Sequence, residues 1–195
     1  MRINRVRTSI ILAGLLLFGV SASYAQGFVS PLLGYDFGGD SGCPQATNCE
    51  DKRLNIGVAF GSMGHILGFE EEIADARNFF GKAGDQKSSV VTAMSNLMIV
   101  PAIGLVHPYL LVGLGLMKTH VEFTRADLAN TDHAGAAWDI GGGLTVLFAG
   151  HVGVRGDIRH LHSAKAFTFP LVGTTPSTEQ QLTFGRAAAA LVFAF

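Results

Sequence analysis

Past residue 26 the chain is written in steps of two. Leu54-Asn55-Ile56-Gly57-Val58-Ala59-Phe60-Gly61 alternates apolar with small or polar residues without a fault. Leu110, Val112, Leu114 and Leu116 interleave with Leu111, Gly113, Gly115 and Met117. Trp138, Ile140, Gly142, Leu144, Val146 and Phe148 interleave with Asp139, Gly141, Gly143, Thr145 and Leu147. Val152, Val154, Gly156 and Ile158 interleave with Gly153, Arg155, Asp157 and Arg159. Successive side chains of extended backbone point to opposite faces, so a period of two marks strands. Helix is the poorer alternative, because each glycine in a helix interior costs about 1 kcal/mol and the chain holds 25 of them.

Hydrophobic residues make up 48% of the chain, which excludes disorder and raises the question of membrane helices. After Gln26, however, a glycine, a proline or a charge interrupts each apolar run before the ~18 residues that a spanning helix needs. The 14 Lys+Arg are matched by 15 Asp+Glu, so no cationic surface for nucleic acid is expected. Two cysteines are too few for a disulfide-framework fold.

Residues 1–25 read differently. Arg2, Arg5 and Arg7 form a cationic start, Ile10 to Val20 an apolar core, and Ser23-Tyr24-Ala25 sets small residues where a signal peptidase reads. This is the layout of a cleavable secretory signal with its cut between Ala25 and Gln26. The segment holds three of the 14 bases and no acid, so residues 26–195 carry 11 bases against 15 acids, a net charge of −4.

Eight strands are expected, near 27–37, 53–62, 66–77, 88–101, 108–122, 135–149, 151–162 and 180–195. Met63-Gly64-His65, Val106-His107-Pro108 and Ala149-Gly150-His151 read as tight turns, whereas 38–52, 78–87, 123–134 and 163–179 read as long polar loops. Short turns at one end and long loops at the other, on an even number of strands, are the layout of a transmembrane barrel. A soluble lipocalin-like barrel would turn its apolar face inward. Here a face of Gly, Asp and Arg opposes a uniform face of Leu, Ile, Val and Phe, which puts lipid outside. The expected fold is one all-β domain over 26–195, an eight-stranded antiparallel transmembrane β-barrel.

The last strand ends in Leu191-Val192-Phe193-Ala194-Phe195, with apolar residues continuing at alternate positions upstream. It resembles the C-terminal signal read by the barrel-insertion machinery of Gram-negative bacteria, with Leu191, Phe193 and Phe195 on one face and Ala190 where that signal usually has glycine. Pro108-Tyr109 followed by Gly113-Leu114-Gly115, Asp139-Ile140-Gly141-Gly142-Gly143 and Val154-Arg155-Gly156-Asp157-Ile158-Arg159 resemble the small eight-stranded outer-membrane β-barrel family. That family includes the OmpA-type transmembrane domain and opacity-type surface proteins. The resemblance implies the outer membrane of a Gram-negative bacterium as the location. It implies outer-membrane lipid and lipopolysaccharide, with the insertion machinery, as partners. It says little of activity, because this fold hosts pores, adhesins, anchors and enzymes.

The polar residues suggest roles. By parity, Arg155, Asp157 and Arg159 share a face of strand seven, Asp139 lies on the glycine face of strand six, Arg186 on the alanine face of strand eight, and Glu70 and Glu72 on one face of strand three. A barrel of eight strands is just wide enough for side chains to fill it. An internal salt-bridge network is therefore expected, with a narrow ion path as the alternative. Glu71 then faces lipid, unless a bulge or a position at the rim relieves it. Cys43 and Cys49 in the first long loop are expected to form a disulfide after export; a metal site is the alternative, but the loop holds no His. Phe79, Phe80, Phe123, Phe167 and Phe169 are candidates for an exposed aromatic patch in the loops.

His160-Leu161-His162-Ser163 is the one segment with catalytic residue types. Outer-membrane lipid A deacylases are similar barrels that use a His and a Ser with an acidic residue. In that family the His and Ser share a strand face, whereas His162 and Ser163 are adjacent here and fall on opposite faces. The expectation is a monomeric, non-enzymatic surface protein without cofactor or metal, supporting envelope integrity and presenting surface loops, with adhesion or host interaction through an unknown surface ligand as a special case. A low-conductance pore and a lipid A-modifying hydrolase are the alternatives.

Overall fold

A computed structural model describes residues 26–41, 52–80, 86–101, 103–123, 131–148, 150–163, 167–168 and 179–195. All regular structure among these is β. The strands are β1 (Gln26–Phe37), β2 (Lys52–Met63), β3 (Leu67–Arg77), β4 (Gln86–Ile99), β5 (Val106–Phe123), β6 (Thr131–Phe148) and β7 (Val152–Ser163). A two-residue pair, β8 (Phe167–Thr168) with β9 (Glu179–Gln180), follows, and β10 (Thr183–Ala194) is last. Eight of them close a barrel in the order β1-β10-β7-β6-β5-β4-β3-β2. The expected last strand is thus divided, because Glu179 and Gln180 pair with β8 instead of joining the wall.

Every neighbouring pair in the wall is antiparallel and holds a single register. Stepping sideways from Phe28, the partners are Gly61, Glu70, Asn96, Gly113, Asp139, Leu161 and Phe184. Since Phe37 pairs with Gly185, Phe184 stands opposite position 38 of the first strand. One circuit therefore climbs ten residues, from 28 to 38. A closed sheet with such a shear has strands tilted by about 35–45° and a bore that side chains can fill.

The wall accommodates a proline. Pro31 lies opposite Leu191, where the ladder between β1 and β10 is interrupted. Proline has no N–H to donate, and the hydroxyl of Ser30 donates to the Leu191 carbonyl instead, at 2.9 Å.

Turns near Gly64 and Gly150 join β2 to β3 and β6 to β7, with Gly150 at φ +79°. The expected turn at Val106-His107-Pro108 is incorrect: these residues begin β5, and the chain reverses before them, around Gly104 at φ +65°. The β4–β5 ladder ends at Ile99↔Leu110, so Pro108 pairs only with β6 and its missing N–H costs no bond on the other side.

Burial alternates along each strand. Outward side chains such as Leu33, Ile56, Leu110, Leu114, Ile140 and Ile158 are exposed. Inward apolar residues gather at the two ends of the bore. Toward the short turns stand Phe28, Leu32, Met63, Leu147 and Val192 in one cluster and Met98, Val100, Tyr109 and Leu111 in another. Toward the long loops stand Phe79, Val90, Met94, Met117, Leu161, Leu182 and Phe184. Phe79 therefore does not belong to an exposed patch. It is fully buried, edge-on against Phe184 with ring centroids 4.8 Å apart, and Phe80 is only partly covered.

Candidate functional site in the barrel lumen

Between the apolar ends lies a band of charge. On β3 it consists of Glu70 and Glu72, and on β7 of Arg155, Asp157 and Arg159, each set at alternate positions and buried. Alternation puts them on the inner face, and closure of the sheet brings β3 and β7 across the bore from each other.

Three arginines tie the band together. Arg186 grips Asp36 with two nitrogens, Nε to Oδ1 at 2.8 Å and Nη2 to Oδ2 at 3.1 Å, and donates from Nη1 to Glu72 Oε1 at 3.1 Å and Thr92 Oγ1 at 3.0 Å. Asn55 Nδ2 donates to the same Asp36 at 2.6 Å. Arg159 Nη2 lies 2.9 Å from Glu70 and 2.9 Å from Glu72, and its Nε donates to Asp157 at 3.2 Å. Arg155 pairs with Glu70 through Nη1 and with Asp157 through Nη2 at 2.9 Å. The Tyr109 hydroxyl accepts from Arg155 Nε and donates to Asp157 at 2.8 Å, while its ring lies 4.6 Å from the Arg155 guanidinium carbon. Asn96 Nδ2 donates to Glu70 at 3.0 Å. Asp139 is the outlier, with Arg159 Nη1 at 3.6 Å and no hydrogen bond to either oxygen.

Each of the eight wall strands thus contributes: Asp36, Asn55, Glu70 and Glu72, Thr92 and Asn96, Tyr109, Asp139, the β7 trio, and Arg186. Glycine makes the space. A Cβ on Gly143 would stand 2.5 Å from the Tyr109 hydroxyl and 2.6 Å from Asp157 Cβ, and one on Gly141 would press on Arg159. Charges withdrawn from water are tolerable only when paired and hydrogen-bonded, and all the charges of this network but Asp139 are both. Asp36, Asn55, Thr92, Asn96 and Tyr109 are members that the sequence reading missed. Asp36 shares parity with Phe28, Ser30 and Leu32, which was the available signal.

A closed wall, an apolar outer belt and an ionic interior define the class of protein. Residues 10–195 match the family described as "Outer membrane protein beta-barrel domain". The chain belongs to this family. Among solved structures, Neisserial surface protein A (NspA) is 12% identical with a TM-score of 0.64, covering 88% of this chain and 99% of that one. Ail, the attachment invasion locus protein of Yersinia pestis, is 10% identical at 0.56, with 88% and 99% covered. A major outer membrane protein from Thermus thermophilus is 12% identical at 0.55, also with 88% and 99% covered. At such identities the likeness is one of fold. No curated protein matches the chain in sequence. This outer-membrane barrel resides in the outer membrane of a Gram-negative bacterium.

The other sequence candidates are placed as follows. In the barrel wall His160 and His162 face outward, the latter hydrogen-bonded through Nδ1 to Thr183 Oγ1 at 2.7 Å, while Ser163 faces inward and is fully buried. The three do not form a His–Ser dyad. Leu191, Phe193 and Phe195 face outward together, and Phe195 exchanges backbone hydrogen bonds with Gly27. Cys43, Cys49, Phe169, Ala25 and the rest of 1–25 lie outside the described residues, as do the side chains of Phe123 and Phe167. Gln26 opens β1 and bonds the Gly150 carbonyl at 2.6 Å. Glu71 lies outside on the wall with neither a bulge nor a rim position to relieve it, and Ser95 Oγ stands 2.8 and 2.7 Å from its two carboxyl oxygens.

Proposed function

We propose that this outer-membrane barrel is a non-enzymatic, non-conducting membrane anchor that supports the envelope and presents its long loops at the cell surface. The observation that carries the reading is the filled bore. An ionic network reaching all eight strands lies between apolar clusters toward both ends, with Arg53 also buried on the loop side, so an ion crossing the bore would have to displace packed side chains. A hydrolase is disfavoured by the opposed directions of His162 and Ser163. Cys43 and Cys49 are proposed to pair and stiffen the first loop, and the insertion machinery to read the outward Leu191-Phe193-Phe195 edge.

The partner of the loops is unassigned, though their charge narrows it. Ail has been solved in complex with the heparin analogue sucrose octasulfate. Between the wall strands, residues 38–51, 78–85, 124–130 and 164–182 of this chain hold six acids against three bases, a poor field for a sulfated glycan. A neutral or basic surface is the better fit. The test of the central claim is single-channel recording of the purified barrel in planar bilayers. A flat baseline is expected; reproducible discrete conductance steps would replace the anchor reading with the pore.

A further inference from the structure

Among the described residues, the outer wall carries a polar island at mid-depth. Along β3 the outward residues are Leu67, Phe69, Glu71, Ile73, Asp75 and Arg77. Glu71 stands four residues from the strand's start and four from Asp75, so about 10 Å of tilted strand separates it from either edge of the apolar belt. Its ladder partners are Phe60 on β2 and Ser95 on β4, and Ser95 pairs onward with Leu114 on β5, which is 71% exposed. The dyad is thus enclosed by hydrocarbon on the protein side and meets acyl chains on the other. Among the described residues, the other ionisable side chains of the outer wall, such as Arg77, Lys118 and His160, stand toward the loop ends of their strands.

A carboxyl at this depth needs hydrogen-bond partners that lipid tails do not supply, and Ser95 supplies one. We infer that the β3–β4 outer wall is an interface with a second copy of this chain, closed by Glu71 and Ser95. The patch is self-complementary. A hydroxyl donates and accepts, and a carboxyl accepts through both oxygens and donates when it carries its proton. A two-fold axis along the membrane normal leaves depth unchanged, so the copy's Glu71 and Ser95 arrive level with the first pair. Ala93 and Ser95 on β4 are small, which lets two walls approach closely, as small residues do at helix contacts in membranes. The inferred dimer stands against the expectation of a monomer, and the experiment below decides between the two.

The test uses the folded protein in lipid vesicles, with dimer fraction followed by energy transfer between labelled copies as protein is diluted in lipid. Glu71→Leu removes the polar group and keeps an apolar wall, so folding, read by the heat-dependent gel shift, is preserved. Wild type is expected to dimerise reversibly, Glu71→Gln to do so too, and Glu71→Leu to need at least tenfold more protein per lipid. A second arm stands independently of that variant. With Cys43 and Cys49 replaced by serine, Ala93→Cys is expected to cross-link between copies, whereas Ala189→Cys on β10 does not. Wild type that stays monomeric throughout, Glu71→Leu dimers as stable as wild type, or equal cross-linking at 93 and 189 would each overturn the inference.

Discussion

Glu70 accepts from Asn96, Arg155 and Arg159, two strands' worth of donors converging on one carboxylate. Removing a partner from a buried pair leaves a charge that water cannot reach. Arg155→Met is therefore expected to destabilise the barrel by about 3–5 kcal/mol, measured by urea unfolding in lipid vesicles. Combining it with Glu70→Gln should cost less than the two changes added, because the carboxylate it strands is gone; strict additivity would mean that the two do not act as a pair. Asp139→Asn is a useful control, since Asp139 has only the 3.6 Å contact with Arg159. Parity makes the inward side of Arg155 or Asp157 readable from sequence, whereas the pairing of Asp36 with Arg186 joins residues 150 positions apart. That contact depends on the barrel's closure, which no local pattern encodes. Glu71 shows the limit of parity from the other side: alternation marks it as outward but says nothing of the Ser95 hydroxyl one strand away.

Among the elements, β10 makes the closing seam with β1, where Phe28 meets Ala194 and Phe37 meets Gly185. An unpaired strand edge in lipid would leave each backbone polar group unsatisfied at a cost of several kcal/mol, so this seam decides whether a barrel exists. Its outward Phe193 and Phe195 sit near the short-turn end, where aromatic girdles meet the interface. Phe193→Ala with Phe195→Ala is expected to lower outer-membrane yield severalfold in cell fractions, with little change in the melting of the protein that does insert. Normal yield would remove these residues from assembly. Strand existence is legible here because a period of two survives in every wall strand. Boundaries are less so. Pro108 looks like a turn residue, and only the end of the β4–β5 ladder shows why a strand accepts it.

For the whole molecule, a network that reaches every wall strand makes partial opening costly, since peeling off any strand strips a partner from a buried charge. The barrel is expected to unfold as one unit. Fluorescence of Trp138, the chain's single tryptophan and part of the outer wall beside His162, should share its urea midpoint with the loss of the compact gel band. Two separated midpoints would indicate a wall that opens piecewise. The unbroken register has a consequence for how such a chain can vary through descent. Inserting one residue within a strand would turn every later side chain of that strand inside out, sending Leu and Phe into the bore and Arg and Asp into lipid. Strands are therefore closed to single-residue insertions and deletions while freely exchanging one aliphatic for another, and length can drift only in the loops. An inheritance of that kind preserves odd and even positions rather than letters, and NspA builds a barrel of this fold at 12% identity.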